Sequence, residues 1–245
     1  MNPPGSDSGR AFKALLFDLD GTLLRVRMSR FLESYFPLLA ARFGAGGDHP
    51  RFREALIDSV REMMNIRDGK RLLSTVFLES FAPKVGRDAA GVTAIFEEFH
   101  RDGIDALNGL TEPIPEARPL LEKAAALGYD IALATNPVFF RPAIDARLRW
   151  AGLEGFPFSF VSSADNMHFS KPHAEYFAEL LEKTGKEPVQ CLMIGDDPVM
   201  DMPAREAGIA TWFVPTEGKS LKREGSDYSG SLADLAAWLE EGVRR

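Results

Sequence analysis

Two carboxylates, Asp18 and Asp20, close the apolar run of ALLFDLDGTLL (residues 14–24). A strand bound for a core has no use for acids at its end, so the pair points to a ligand. Spaced two apart, both can project toward one pocket while the chain stays extended. Gly21 then lets the backbone turn sharply and approach that ligand closely. One carboxylate of such a pair can attack phosphorus and form an aspartyl-phosphate. The other can protonate the leaving oxygen and then deprotonate the attacking water. Spacing alone leaves open which does which.

Further polar groups fall where other apolar runs end. Thr135 and Asn136 close LATN, Lys171 sits in SKPHAEYF, and Asp196, Asp197 and Asp201 lie in IGDDPVMD. Five carboxylates face one lysine. Two like charges 4 Å apart repel by about 4 kcal/mol at an effective dielectric near 20, so the cluster needs a cation. Oxygen ligands without Cys or His point to Mg²⁺ rather than zinc. The hydroxyl, amide and ammonium of Thr135, Asn136 and Lys171 suit a phosphate, and metal and lysine together offset repulsion between an anionic nucleophile and a phosphoryl group. Taken singly, each motif has a plainer reading: DxD as a turn, GDDPVMD as an Asx-type turn with Asp201 capping a helix. The ordered set carries the chemistry.

The elements that must position these groups are legible as short apolar runs without alternation: 14–19, 130–135, 158–163, 190–195 and 210–214. That is the pattern of parallel strands covered on both faces. Helical patterns at 115–128, 141–152 and 171–185 lie between the last four, and strand alternating with helix predicts a doubly wound α/β domain. Open parallel sheets bind ligands at the carboxyl ends of their strands, where these polar groups fall.

Residues 25–110 break the rhythm. No strand is expected there, and four helical patterns (29–44, 50–65, 70–81 and 89–107) predict an all-helical insertion. Ser29 is the expected N-cap of the first, Pro37 a kink, and Pro50 the first position of the second. Residues 108–115 read as the return linker. The expected division is a core of residues 1–24 and 111–245 and an insertion of residues 25–110.

The chain has 245 residues, 45% hydrophobic and 27% charged, with net charge −7. A sizeable core is expected, and neither nucleic acid nor an anionic membrane is favoured as partner. The Pro-, Gly- and Ser-rich first dozen residues read as a frayed terminus. Cys191, the sole cysteine, reads as a buried thiol, and a cytoplasmic location is expected. His168 and His173 read as loop or surface residues, Arg25, Arg27 and Arg30 as a solvated face, Met63 and Met64 as helix core.

DLDGT (18–22), Thr135 in LATN, Lys171 in SKPHAEYF and GDDPVMD (195–201) together resemble the four motifs of the haloacid dehalogenase-like superfamily, phosphatase branch. The resemblance covers residues 12–24 and about 113–215. It implies a Rossmann-like core with a helical cap at 25–110 and a Mg²⁺-dependent phosphohydrolase acting on a small phosphorylated metabolite. It implies Asp18 as nucleophile, Asp20 as acid/base, and Thr135 and Lys171 as phosphate binders. The metal would be held by the Asp18 carboxylate, the Asp20 carbonyl and Asp196, with Asp201 and Asp197 supporting the metal or the lysine. A phosphomutase using the same chemistry, and a phosphoaspartate receiver acting as a binding switch, are the alternatives. A receiver needs neither a second Asp at that spacing nor so long a helical insertion.

Overall fold

The computed structural model describes residues 12–44, 50–216 and 225–243. The terminus expected to fray lies outside the described residues, apart from Phe12. A parallel sheet of six strands has the order β5 (Phe160–Val161), β4 (Asp130–Leu133), β1 (Ala14–Phe17), β6 (Cys191–Gly195), β7 (Ala210–Phe213) and β8 (Tyr228–Ser229). β1 and β6 are buried throughout, which is why their sequences read as continuous apolar runs. From β1 the chain winds outward through β4 and β5, then returns to the other side of β1 and continues through β6 to β8. The reversal beside β1 is the switch point at which such sheets form a crevice.

Register decides what stands at that crevice. Phe17 pairs with Leu133 on one side and Ile194 on the other. The central strands therefore end level, and Asp18, Thr135 and Asp196 follow within two residues of those pairs. Helices α5 (Ala117–Ala126), α6 (Arg141–Trp150) and α7 (Ala174–Thr184) occupy the predicted crossovers. α7 stops at Gly185, whose φ of +65° suits glycine. A last helix, α8 (Leu232–Val243), packs on α5.

Between β1 and α5 the chain builds α1 (Met28–Arg42), α2 (Pro50–Asn65), α3 (Leu73–Lys84) and α4 (Ala89–Glu98). Phenylalanines bind them together. Phe43 meets Phe52 with ring centroids 5.1 Å apart, and Phe52 meets Phe81 at 5.6 Å, separations at which aromatic pairs add about 0.5–1.5 kcal/mol beyond burial. Met63 is buried and Met64 half-buried.

Several expectations are corrected here. Residues 25–110 are not free of strand: β2 (Leu24–Val26) pairs antiparallel with β3 (Thr111–Pro113), placing Arg25 opposite Glu112. Both strands have three residues, too few to show a period. Ser29 does not cap α1. Arg27 holds that position without a side-chain bond. The run 89–107 is not one helix, because α4 passes into a π-helical turn (Phe99–Gly103) and a 3₁₀ helix (Ile104–Leu110). A Cβ on Gly103 would lie 2.8 Å from the Phe99 ring, so the turn packs tightly enough to require glycine. The strand foreseen at 158–163 shortens to two residues, and β8 was unforeseen. No helix among the described residues is long and apolar enough to cross a membrane.

Candidate active site

Asp18 remains in the sheet, donating its backbone N–H to Ile194 O at 2.9 Å. Leu19 turns into the core and Asp20 returns to the crevice side. Gly21 has φ +99°, and a Cβ there would stand 2.3 Å from an Asp196 carboxylate oxygen. Any other residue would drive the two strand-end loops apart.

Asp18, Asp196 and Asp201 are buried, and each offers a carboxylate oxygen within 4.8 Å of the others. Gly195 belongs to the same cradle, since its Cβ would meet the Asp201 carboxylate at 2.1 Å. Three hard oxygen donors so close fit a hard divalent cation. Lys171, fully buried, donates Nζ–H to Asp18 Oδ1 at 2.9 Å and to Asp201 Oδ1 at 2.6 Å. Burial works to lower its ammonium pKa, but Asp18 and Asp201 outweigh burial and hold it above the ordinary lysine value. Burial pushes the Asp201 carboxyl up, against the pull of Lys171 and with repulsion from Asp18 adding.

Thr135 lies at the end of β4, 4% exposed, its carbonyl accepting from Ser162 Oγ at 2.7 Å and Tyr176 Oη at 3.0 Å. With Asn136 and Lys171 it lines the cavity that holds Asp18 and Asp20. Asp197 also reaches that cavity, but its Oδ1 accepts the backbone N–H groups of Val199 (2.8 Å) and Met200 (3.1 Å). The Asx turn therefore belongs to Asp197, while Asp201, which makes no capping bond, joins the carboxylate cluster.

The Asp20 carboxylate stands apart from that cluster. Arg147 Nη1 donates to its Oδ2 at 2.5 Å, Arg147 Nε donates to Ala143 O at 3.2 Å, and the guanidinium lies 3.8 Å from the Phe139 ring centroid. Arg147 is 1% exposed. Asp20 Oδ1 has no hydrogen-bond partner within the protein. Burial raises the Asp20 carboxyl pKa more than Arg147 lowers it, and Asp18 pushes the same way as burial.

Arg147 escaped the sequence reading. Its signal was a cation on an apolar face, four residues after Ala143 and three before Trp150. His100 was also missed. It is 2% exposed and lines the cavity, with Nε2 3.1 Å from Tyr35 Oη and Nδ1 unpartnered within the protein. Burial, reinforced by Arg147, pushes its pKa down to about 3. His168 lies in the loop before α7, half-buried, its Nδ1 2.7 Å from Glu179 Oε1. His173 contacts Arg67. Arg25, Arg27 and Arg30 carry the solvated reading, Arg25 pairing with Glu112 at 2.9 Å on the surface. Cys191 is buried, its thiol pushed up to about 11 by burial.

Known phosphatases are similar to this chain over most of its length. The phosphoglycolate phosphatase of Xylella fastidiosa is 27% identical over 86% of this chain and 85% of its own length. The phosphoserine phosphatase of Thermus thermophilus is 29% identical over 90% of this chain and 94% of its own. A solved HAD phosphatase from Thermococcus onnurineus shares the fold at a TM-score of 0.60 and 21% identity, over 93% of this chain and 98% of that one. The family model for haloacid dehalogenase-like hydrolases matches residues 12–208, and the chain belongs to that family.

Proposed function

We propose that the protein is a Mg²⁺-dependent phosphohydrolase that cleaves a phosphate monoester through a phospho-aspartyl intermediate on Asp18. The observation that carries this reading is the separation of partners between two acids two residues apart: Asp18 on Lys171, Asp20 on Arg147. Neighbouring carboxylates with different surroundings are how one site obtains a nucleophile and a proton carrier. Phosphatase relatives support the reaction class.

Asp18 attacks phosphorus as the ester oxygen departs with the Asp20 proton. Water then attacks the phospho-aspartate, Asp20 takes its proton, and phosphate leaves with Asp18 restored. Thr135, Asn136 and Lys171 bind the phosphoryl oxygens. Asp18, Asp196 and the Asp20 carbonyl would hold the metal, with Asp201, already in the carboxylate cluster, supporting them. Bound there, Mg²⁺ supplies positive charge to the transferring phosphoryl group. Residues 25–110 form a helical cap over a core of residues 1–24 and 111–245, entered and left through the β2–β3 ribbon. Support comes from side chains of α1 to α4 lining the same cavity as Asp18.

The test is phosphate release from p-nitrophenyl phosphate with and without Mg²⁺, beside the Asp20→Asn variant. That variant keeps the nucleophile but cannot activate water, so an acid-stable, base-labile phosphoenzyme accumulates on Asp18. Absence of any such adduct, with wild type active, would reject the roles given to the two acids.

Arg147 is the positioning residue for Asp20. Arg147→Met is expected to lower kcat by about 10- to 100-fold, the scale of misplacing a catalytic group by about an ångström. The loss should be larger for alkyl than for nitrophenyl phosphate, because only the poor leaving group depends on the Asp20 proton. An equal loss on both esters would mean that Arg147 has only a structural role.

A further inference from the structure

The cavity over Asp18 has a volume of about 670 Å³. At about 30 Å³ for each water, that is room for roughly twenty waters, far more than a phosphoryl group needs. Its remaining wall is largely apolar: Leu32 and Phe36 from α1, Leu56 and Val60 from α2, Phe77 from α3 and Phe96 from α4 all face it, beside the polar Ser29, Glu33 and Tyr35 of α1. A leaving group rich in hydroxyls or carboxylates would leave its polar groups without partners there, at a cost for each.

The charges around the cavity narrow the choice further. Lys171 is engaged by Asp18 and Asp201. Among the described residues, the only other Lys or Arg lining the cavity is Arg53, whose guanidinium sits 5.4 Å from the Phe36 ring centroid on the exposed side of α2. Arg67, Lys70 and Arg71, between α2 and α3, do not line it. Arg71 pairs with Asp68 and Glu79, Arg67 meets His173, and Lys70 is exposed. His100, the deeply buried polar residue from the α4 end, is neutral and can offer one uncharged hydrogen bond through Nδ1. Nothing in the inner wall answers a second anionic group.

We propose that the substrate is the monophosphate of a bulky, apolar, aromatic-sized alcohol, with no second charged group and at most one neutral polar group within reach of His100. This rests on the phosphohydrolase reading and names its substrate class. The polar phosphorylated acids in the names of the relatives do not fit this wall.

The test compares ethyl, butyl, hexyl and 2-phenylethyl phosphate with glycerol and glycerate phosphates, all with Mg²⁺. Leaving oxygens in the alkyl esters are of similar basicity, so differences report the cavity. Each buried methylene is expected to raise kcat/KM about fourfold, from about 0.8 kcal/mol per CH₂. 2-Phenylethyl phosphate should exceed ethyl phosphate on the order of 100-fold. Val60→Lys, which brings a charge to the wall, should reduce that ratio at least tenfold. A flat series, or preference for glycerate phosphate that is lost in Arg53→Ala, overturns the proposal and leaves the phosphohydrolase reading standing. If no ester is cleaved, that reading fails instead. Calorimetric binding of 2-phenylethylphosphonate against ethylphosphonate, with Mg²⁺, then decides the cavity: at least tenfold tighter binding of the larger supports the apolar site, and equal binding overturns it.

Discussion

Asp18→Asn is expected to reduce turnover of p-nitrophenyl phosphate by roughly 10⁴-fold or more, the scale on which enzymes lose rate when a covalent nucleophile is removed. The substitution keeps the side-chain shape. Asparagine Oδ1 can still accept from Lys171 Nζ, and Lys171 retains Asp201 at 2.6 Å. One negative charge disappears from three buried carboxylates held within 4.8 Å, so metal-free thermal stability should be unchanged or higher. Added Mg²⁺ should stabilise the variant less than wild type, because a ligand stabilises only through its affinity for the folded state. Phosphate release and thermal melts, each with and without Mg²⁺, check all three. Turnover within tenfold of wild type would remove Asp18 from the chemistry.

Asp18, Thr135 and Asp196 were legible in the sequence because each stands at the end of an apolar run, and parallel register brings such ends level; Lys171, in the loop beyond β5, was legible from its place just before a helical pattern. The helices of the insertion were legible from their spacing. Arg147 was not, although it stood in a segment read as a helix. Its partner Asp20 is 127 positions away, and no local pattern announces a pair that distant. The turn from α4 into Phe99–Gly103 was illegible for another reason. Apolar spacing over 89–107 fits a helix whether or not one turn widens, and it is the packing of Phe99 under Gly103 that marks the difference. The apolar cavity wall reads as helix core in sequence. Phe36, Leu56 and Phe77 carry the same spacing whether they face one another or a ligand, so only the assembled helices reveal a space between them.

Lys171→Met has the largest expected effect on stability. Lys171 is the ammonium on which both Asp18 and Asp201 depend, and it is fully buried. Breaking a buried ion pair by removing one partner costs about 3–5 kcal/mol, because the other charge is left uncompensated; here two carboxylates are left. Methionine fills most of the volume, so a cavity adds little. The pH dependence gives the cause away. Burial already raises Asp201 in the folded state, and without the ammonium that pulls against burial it is raised further above its unfolded value. The folded variant then binds more protons than the unfolded chain, and its stability rises as pH falls from 7 toward 5. The gap to wild type should therefore narrow over that interval. Mg²⁺ should narrow it at pH 7 by supplying the missing positive charge. Turnover should be lost under either condition, since the phosphoryl group loses its cationic partner. Chemical denaturation of both proteins at pH 5 and pH 7, with and without Mg²⁺, measures each part. If the variant is destabilised by less than about 1 kcal/mol at pH 7 without metal, then Lys171 does not hold this cluster together, and the electrostatic account of the site is wrong.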